Sequence, residues 1–332
     1  MKVGVALPHY DFSFPDRRPA TVDDVVAFAK RVENLGYDAV WISDHFFLDL
    51  SRYGGPRGRW GSVEALTTLS SIAVETERVR LGTLVLCEAF RHPPVLAKMA
   101  TTLDVVSDGR LDLGMGAGWN EEEYVANGFR FAPVGERIAR LRENVDILAG
   151  MMSNERFSYE GAFYRVDDAP NDPPPVQRPR PPIWVGGKGG PKILTIVAEA
   201  ADGWNTVWRW SPEAYKERLG RLDRICERVG RDPSAVKRSV GLYTVVGTDD
   251  ADAKRQWDRM AVAGPIDASG MRREEFAGDA LVGSAEHCIG RIKEFEALGV
   301  DHLVVTFGVV PFSIWDDDQI ELFAREVLPA VR

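Results

Sequence analysis

Cysteine and histidine are scarce in this chain, at three and five residues of 332. Cys87, Cys226 and Cys288 lie far apart without any Cys-x-x-Cys spacing. That pattern excludes a disulfide scaffold, gives no metal-ligand cluster, and predicts a reduced, cytoplasmic protein. Long hydrophobic runs are also missing. No stretch approaches about 18 uninterrupted apolar residues, so no membrane helix is expected. The chain opens on a strand-like run, Val3–Leu7, rather than on a basic segment leading into a long apolar one. Nor is there a Lys/Arg stripe. The 41 basic and 50 acidic residues give a net charge of −9, which argues against a role on nucleic-acid phosphates. Nothing announces a nucleophile–His–acid arrangement, a P-loop ending or a dinucleotide fingerprint.

What is present is alternation. Short apolar runs at Val3–Leu7, Ala39–Ser43, Val79–Leu86, Leu111–Met115, Ile183–Val185, Gly203–Thr206, Val240–Val246 and Leu303–Phe307 read as eight strands. Amphipathic segments separate them, beginning with Val22–Leu35, which Thr21 caps and Gly36 stops. Strict βα alternation calls for a parallel sheet covered by helices, and eight strands favour a (β/α)8 barrel, one domain over residues 1–332, over an open doubly wound sheet. Two insertions interrupt the pattern. In Ser153–Pro182, FSYEGAFYRV reads as a hairpin turning at Glu160-Gly161, and PNDPPPVQRPRPP as an extended strap. Gly264–Gly283 is irregular and reads as a mobile lid over the barrel mouth.

In such barrels chemistry sits just beyond the strand ends. After the second strand come Asp44 and His45, a carboxylate and a titratable imidazole suited to acid/base work. After the third, Cys87 and Glu88 lead to Arg91 and His92, which read as solvated or structural, and a double proline opens the next helix. After the fourth, the alternating glycines Gly114, Gly116 and Gly118 bare the strand end to a flat ring or a neighbouring backbone. After the fifth, Gly186, Gly187, Lys188, Gly189 and Gly190 open a helix and make a phosphate cradle. A mouth of this kind suits a phosphate-bearing planar cofactor that brings its own redox chemistry.

The segments AVWISDHF, LGTLVLCEAFRHPPVLAKMATTLDVVSDGRLDLGMGAGWNEEEY, PRPPIWVGGKGGPKILTIVAEAADGWN and LVGSAEHCIGRIKEFEALGVDHLVV resemble the luciferase-like monooxygenase superfamily, and within it the coenzyme F420-dependent oxidoreductases. The resemblance runs nearly end to end. It implies a cofactor at the mouth, with Asp44 and His45 beside the deazaflavin ring and Thr83, Leu84 and Val85 backing it through a bulge with a non-prolyl cis peptide near Leu84-Val85. Cys87 would line the ring, and the glycine turn at 186–190 would hold the phosphate. It further implies a homodimer, for which Trp315 and Phe312 are the exposed aromatic candidates. Where sugar-phosphate dehydrogenases of the family carry a Trp and a Glu, this chain has Asp49 and Trp119. That argues against glucose 6-phosphate as substrate and leaves His45 as the one acid/base in view. Hydride exchange between F420 and a small organic substrate is the activity implied. The alternatives are a two-component FMN monooxygenase fed by a separate reductase, and a cofactor-binding protein without catalysis.

Overall fold

The computed structural model describes residues 1–14 and 18–332. Eight parallel strands form the barrel: β1 (Lys2–Ala6), β2 (Ala39–Ile42), β3 (Arg80–Thr83), β4 (Leu111–Gly116), β5 (Ile183–Gly186), β6 (Gly203–Val207), β7 (Lys237–Gly247) and β8 (His302–Phe307). Each strand pairs with the next in sequence, and β8 returns to β1 with Leu303 opposite Val3, closing the ring. The expected (β/α)8 barrel is the fold observed. The strands are buried nearly end to end because helices cover them outside and side chains fill them inside.

Around the ring run α1 (Val22–Asn34), α2 (Ala65–Glu75), α3 (Pro93–Val106), α4 (Glu121–Ala126), α5 (Val134–Ser153), α6 (Pro191–Ala200), α7 (Pro212–Val229), α8 (Asp250–Ala263), α9 (Arg273–Ala277), α10 (Ala285–Ala297), α11 (Asp318–Glu326) and α12 (Leu328–Val331). Thr21 caps α1 in a reciprocal capping box with Asp24, as its place before the apolar periodicity predicts. No helix among the described residues is long and apolar enough to cross a membrane.

Two tryptophans fill the barrel axis. Trp41 and Trp184 meet edge to face at 6.2 Å and are buried. They fit because the facing strands carry glycine. A Cβ on Gly82 would fall 2.1 Å from the Trp41 ring, and one on Gly203 2.3 Å from that of Trp184. The barrel is therefore plugged, with separate hollows at its two ends.

The first insertion is an antiparallel hairpin, Arg156–Glu160 with Arg165–Pro170. The proline-rich segment after it runs as a strap under the barrel's N-terminal end. Asp104 on α3 accepts hydrogen bonds from the backbone of Val176 and Gln177, and the Gln177 amide donates to the Leu111 carbonyl. Three sequence expectations change. The third strand does not run to Leu86: it stops at Thr83, breaks at a cis Leu84-Val85 peptide, and resumes as Leu86–Cys87 paired with Met115 and Gly116. Gly264–Gly283 is not irregular, although it does reach the barrel mouth, where Met271 and Phe276 line the cavity. It contains α9 and leads into a strand, Leu281–Ser284, paired with β7, and it buries Ile266, Phe276 and Ala280. Its sparse apolar residues hid that packing. Trp315 and Phe312 are not exposed aromatics, being only 3% and 4% accessible, so they cannot anchor a partner. Both fold into the core beyond β8.

Candidate active site at the C-terminal mouth

The strand ends open into a cavity of about 970 Å³. Asp44, His45, Leu84, Val85, Cys87, Gly116, Gly118, Gly186, Gly187 and Lys188 all line it. Thr83, Gly189 and Gly190 do not. Thr83 sits below, exchanging hydrogen bonds with the Gly114 backbone at 2.7 and 2.9 Å. Gly190 is the N-cap of α6, and Gly189, at φ +77°, makes the turn before it.

The glycines have a more specific reason than a bare strand end. After the cis peptide, the Val85 side chain lies across β4 and β5. A Cβ on Gly116 would come within 2.5 Å of Val85 Cγ2, and one on Gly186 within 2.8 Å of its Cγ1. Glycine on two adjacent strands thus accepts the bulge that forms the back wall. A second non-prolyl cis bond, Val207-Trp208, ends β6 and brings Trp208 to the cavity. Gly118, at φ +66°, lets the Tyr124 hydroxyl and the Cys87 thiol meet at 2.9 Å. Burial pushes the Cys87 thiol up to about 12, so it is a neutral wall group and not a nucleophile.

Asp44 and His45 are adjacent in sequence but differ in role. The Asp44 carboxylate accepts two hydrogen bonds from Arg91, at 2.7 and 2.9 Å, and one from the Cys87 backbone at 2.9 Å. Both its oxygens are thereby occupied, and it ties β2 to the third-strand bulge. Arg91, which the sequence left as solvated or structural, is this tie. His45 keeps a free nitrogen. Its Nδ1 lies 2.7 Å from Glu123 Oε2. A carboxylate only accepts, so Nδ1 carries the proton and Nε2 is left for the cavity. Glu123 is 1% exposed and also accepts from the backbone of Phe46 and from the Asn120 amide. It is held by α4 and was not singled out in the sequence. Asp49, by contrast, caps a 3-10 turn through the Ser51 backbone, away from His45's hydrogen bonds.

A second polar chain reaches the cavity at Tyr10. His9 Nδ1 lies 2.7 Å from the Leu7 carbonyl, which fixes the proton there. His9 Nε2 must then accept from Ser43 Oγ at 3.0 Å, and Ser43 accepts from the Tyr10 hydroxyl at 2.6 Å. Burial pulls His9 down to about 3, so it stays neutral. Trp119 is 40% exposed. It stands edge-on to His45 at 5.4 Å, with the Arg52 guanidinium 4.2 Å over its ring.

At the far side of the mouth, Lys188 sits 5.0 Å over Trp210 and is pulled down to about 8, chiefly by burial, with Asp279 opposing. The α6 N-terminus beside it has no side-chain cap, so its amides and Lys188 form an anion-attracting edge. Among the described residues no group of three or more His, Cys, Asp or Glu could hold a metal.

Residues 1–302 match the model of the luciferase-like monooxygenase family. An F420-dependent glucose-6-phosphate dehydrogenase of Microbacterium testaceum is 31% identical, the match covering 93% of this chain and 94% of the relative. An F420-dependent hydroxymycolic acid dehydrogenase of Mycobacterium tuberculosis is 28% identical, over 99% and 88%. Among solved structures, the monooxygenase RslO1 of Streptomyces bottropensis superposes with a TM-score of 0.79 at 24% identity, covering all of both chains. An F420-dependent secondary alcohol dehydrogenase superposes at 0.76 and 21% identity, covering 100% and 99%. With a family model spanning nine-tenths of its length, this chain belongs to the luciferase-like monooxygenase family.

Proposed function

We propose that the protein is an F420-dependent oxidoreductase that moves a hydride between the deazaflavin and a small organic substrate. The observation that carries this reading is the His45–Glu123 dyad, which presents a free imidazole nitrogen to a cavity suited to such a cofactor. The fit rests on the Val85 wall over Gly116 and Gly186, a flat backing for a ring. It rests also on the uncapped α6 terminus with Lys188, which would take the phosphate. The F420 dependence of curated relatives supports the choice of cofactor.

When bound, the deazaflavin supplies two-electron hydride chemistry at its ring. The chain's own residues do the rest. His45 Nε2 takes or gives the substrate proton, while Glu123 holds the proton on Nδ1 and balances the imidazolium that forms. Asp44, locked by Arg91, sets the backbone from which His45 projects. Trp119 and Trp208 supply apolar surface that limits water and orients the substrate. The reading extends to one barrel domain over 1–332 acting as a cytoplasmic homodimer. The family resemblance supports the dimer, and three buried free cysteines are consistent with a reducing compartment. With no nicotinamide fingerprint in the sequence, a separate redox enzyme would return the cofactor to its starting state, as an oxidase or dehydrogenase when the substrate is an alcohol and as a reductase when it is a carbonyl compound.

Equilibrium binding of F420 and FMN to the purified protein tests the cofactor. F420 should bind in the micromolar range or better, about −8 kcal/mol, and FMN more weakly. FMN binding as tight or tighter overturns this reading in favour of the monooxygenase. Turnover of F420 against a panel of alcohols and carbonyl compounds then tests the activity.

A further inference from the structure

A second cavity, of about 990 Å³, opens at the opposite, N-terminal pole of the barrel, and the proposed reaction makes no use of it. Seven Lys or Arg side chains line it against four Asp or Glu, in a chain whose net charge is −9. The sign of this pole is thus opposite to that of the molecule.

The four carboxylates already have partners. Glu33 accepts from the backbone of Glu77, Arg78 and Val79. Asp38 accepts from Val3 N and pairs with Lys2 and Arg332. Asp112 holds Arg80 at 2.6 Å and the Trp184 indole at 3.2 Å, and Asp202 holds Arg180 and Ile183 N. Two cations, Arg178 and Lys237, have no ion pair among the described residues, Arg178 on the strap donating to the Pro175 carbonyl. A third, Arg78, reaches Glu33 only at 4.0 Å. At the inner end His302 stands edge-on to Trp184 at 5.1 Å, and its Nδ1 is buried without a hydrogen bond. Buried polar nitrogens are ordinarily satisfied, and no described residue satisfies this one.

We propose that this pole binds a small multivalent oxyanion of the phosphate class, gripped by Arg78, Arg178 and Lys237, with the His302 ring at the inner end of the cavity. Guanidinium groups match phosphate oxygens in a planar fork, which favours phosphate over a simple halide. The tryptophan plug separates this site from the mouth, so it is a distinct site and not an extension of the cofactor cradle.

The test is calorimetric titration of the full chain carrying Lys188→Ala, which disables the anion edge at the mouth, with pyrophosphate at constant ionic strength, so that its outcome is independent of the F420 reading. Saturable binding at about 100 µM or tighter is expected. It should weaken about tenfold or more when Arg178→Ala and Lys237→Ala are added, and the His302 ring resonances should move during the titration. Heats no larger than those of sodium chloride at the same ionic strength overturn the proposal. So does binding in the Lys188→Ala background that survives the two added substitutions. Citrate binding more tightly than pyrophosphate overturns the assignment to phosphate.

Discussion

Replacing Glu123 by glutamine tests the dyad without changing its volume. The wild-type carboxylate accepts from His45 Nδ1 at 2.7 Å, Phe46 N at 2.6 Å and Asn120 Nδ2 at 2.9 Å. In the variant the amide oxygen satisfies the Phe46 backbone, which turns the NH₂ towards His45. Two donors then face each other, and the imidazole relieves the conflict by moving its proton to Nε2. The nitrogen offered to the cavity becomes a donor and can no longer accept a proton. Hydride transfer from an alcohol should slow by about 10²–10⁴-fold, the span of general acid/base catalysis, or about 3–5 kcal/mol of barrier. Losing a charge-assisted hydrogen bond costs about 1–3 kcal/mol of stability, so the variant should remain folded. Single-turnover kinetics at saturating cofactor, with the best alcohol from the panel, measure the rate. Nitrogen-15 NMR of the histidine side chains reads the tautomer without any substrate. A folded variant with an unchanged rate and with the proton still on Nδ1 would refute the reasoning.

Lys188→Ala should weaken F420 binding by about 1–3 kcal/mol if the ammonium meets the phosphate. Because burial holds Lys188 near 8, wild-type affinity should fall between pH 7 and 9, and in the variant that pH dependence should vanish in a fluorescence titration. Glu88 is 2% exposed and raised to about 7 by burial, with Oε2 unpartnered. Its folded state holds a proton that the unfolded chain gives up near 4.5, so stability is lost as pH rises from there to 7. Glu88→Gln should therefore be more stable than wild type at pH 8, by on the order of 1–3 kcal/mol, and equal to it near pH 4 in denaturant melts. A gap that persists at pH 4 would trace the gain to packing.

The barrel was legible because parallel strands buried on both faces read as continuous apolar runs, and because the helices carry their caps in the sequence, as Thr21 and Asp24 do. That Asp44, His45, Gly186, Gly187 and Lys188 would meet at the mouth was legible because the strand ends of a barrel converge there. Glu123 was not. It lies 78 residues from His45, within three consecutive acids that read as ordinary charge at a helix start, and only the short turn of α4 decides which of the three points inward. The same holds for the Arg91 tie and for Tyr10, whose partners come from other strands. The irregular look of Gly264–Gly283 misled because a five-residue helix and a four-residue strand leave little periodicity. Surface placement of Trp315 and Phe312 failed for a related reason: a chain end after the last strand can fold back as readily as it can project.

The tryptophan plug bears on how protons travel. With Trp41 and Trp184 filling the axis, no file of water can thread the barrel from one pole to the other. The Tyr10–Ser43–His9 chain ends on the Leu7 carbonyl, a dead end that cannot pass a proton onward, and Glu123 behind His45 is sealed from solvent. On the proposed role of His45, a proton collected at its Nε2 would have one exit, the mouth through which the substrate enters. While product and cofactor filled that mouth, the proton would be captive. Product departure and proton release would then share a single door, and the barrel rather than the chemistry at its rim would set the order in which they pass.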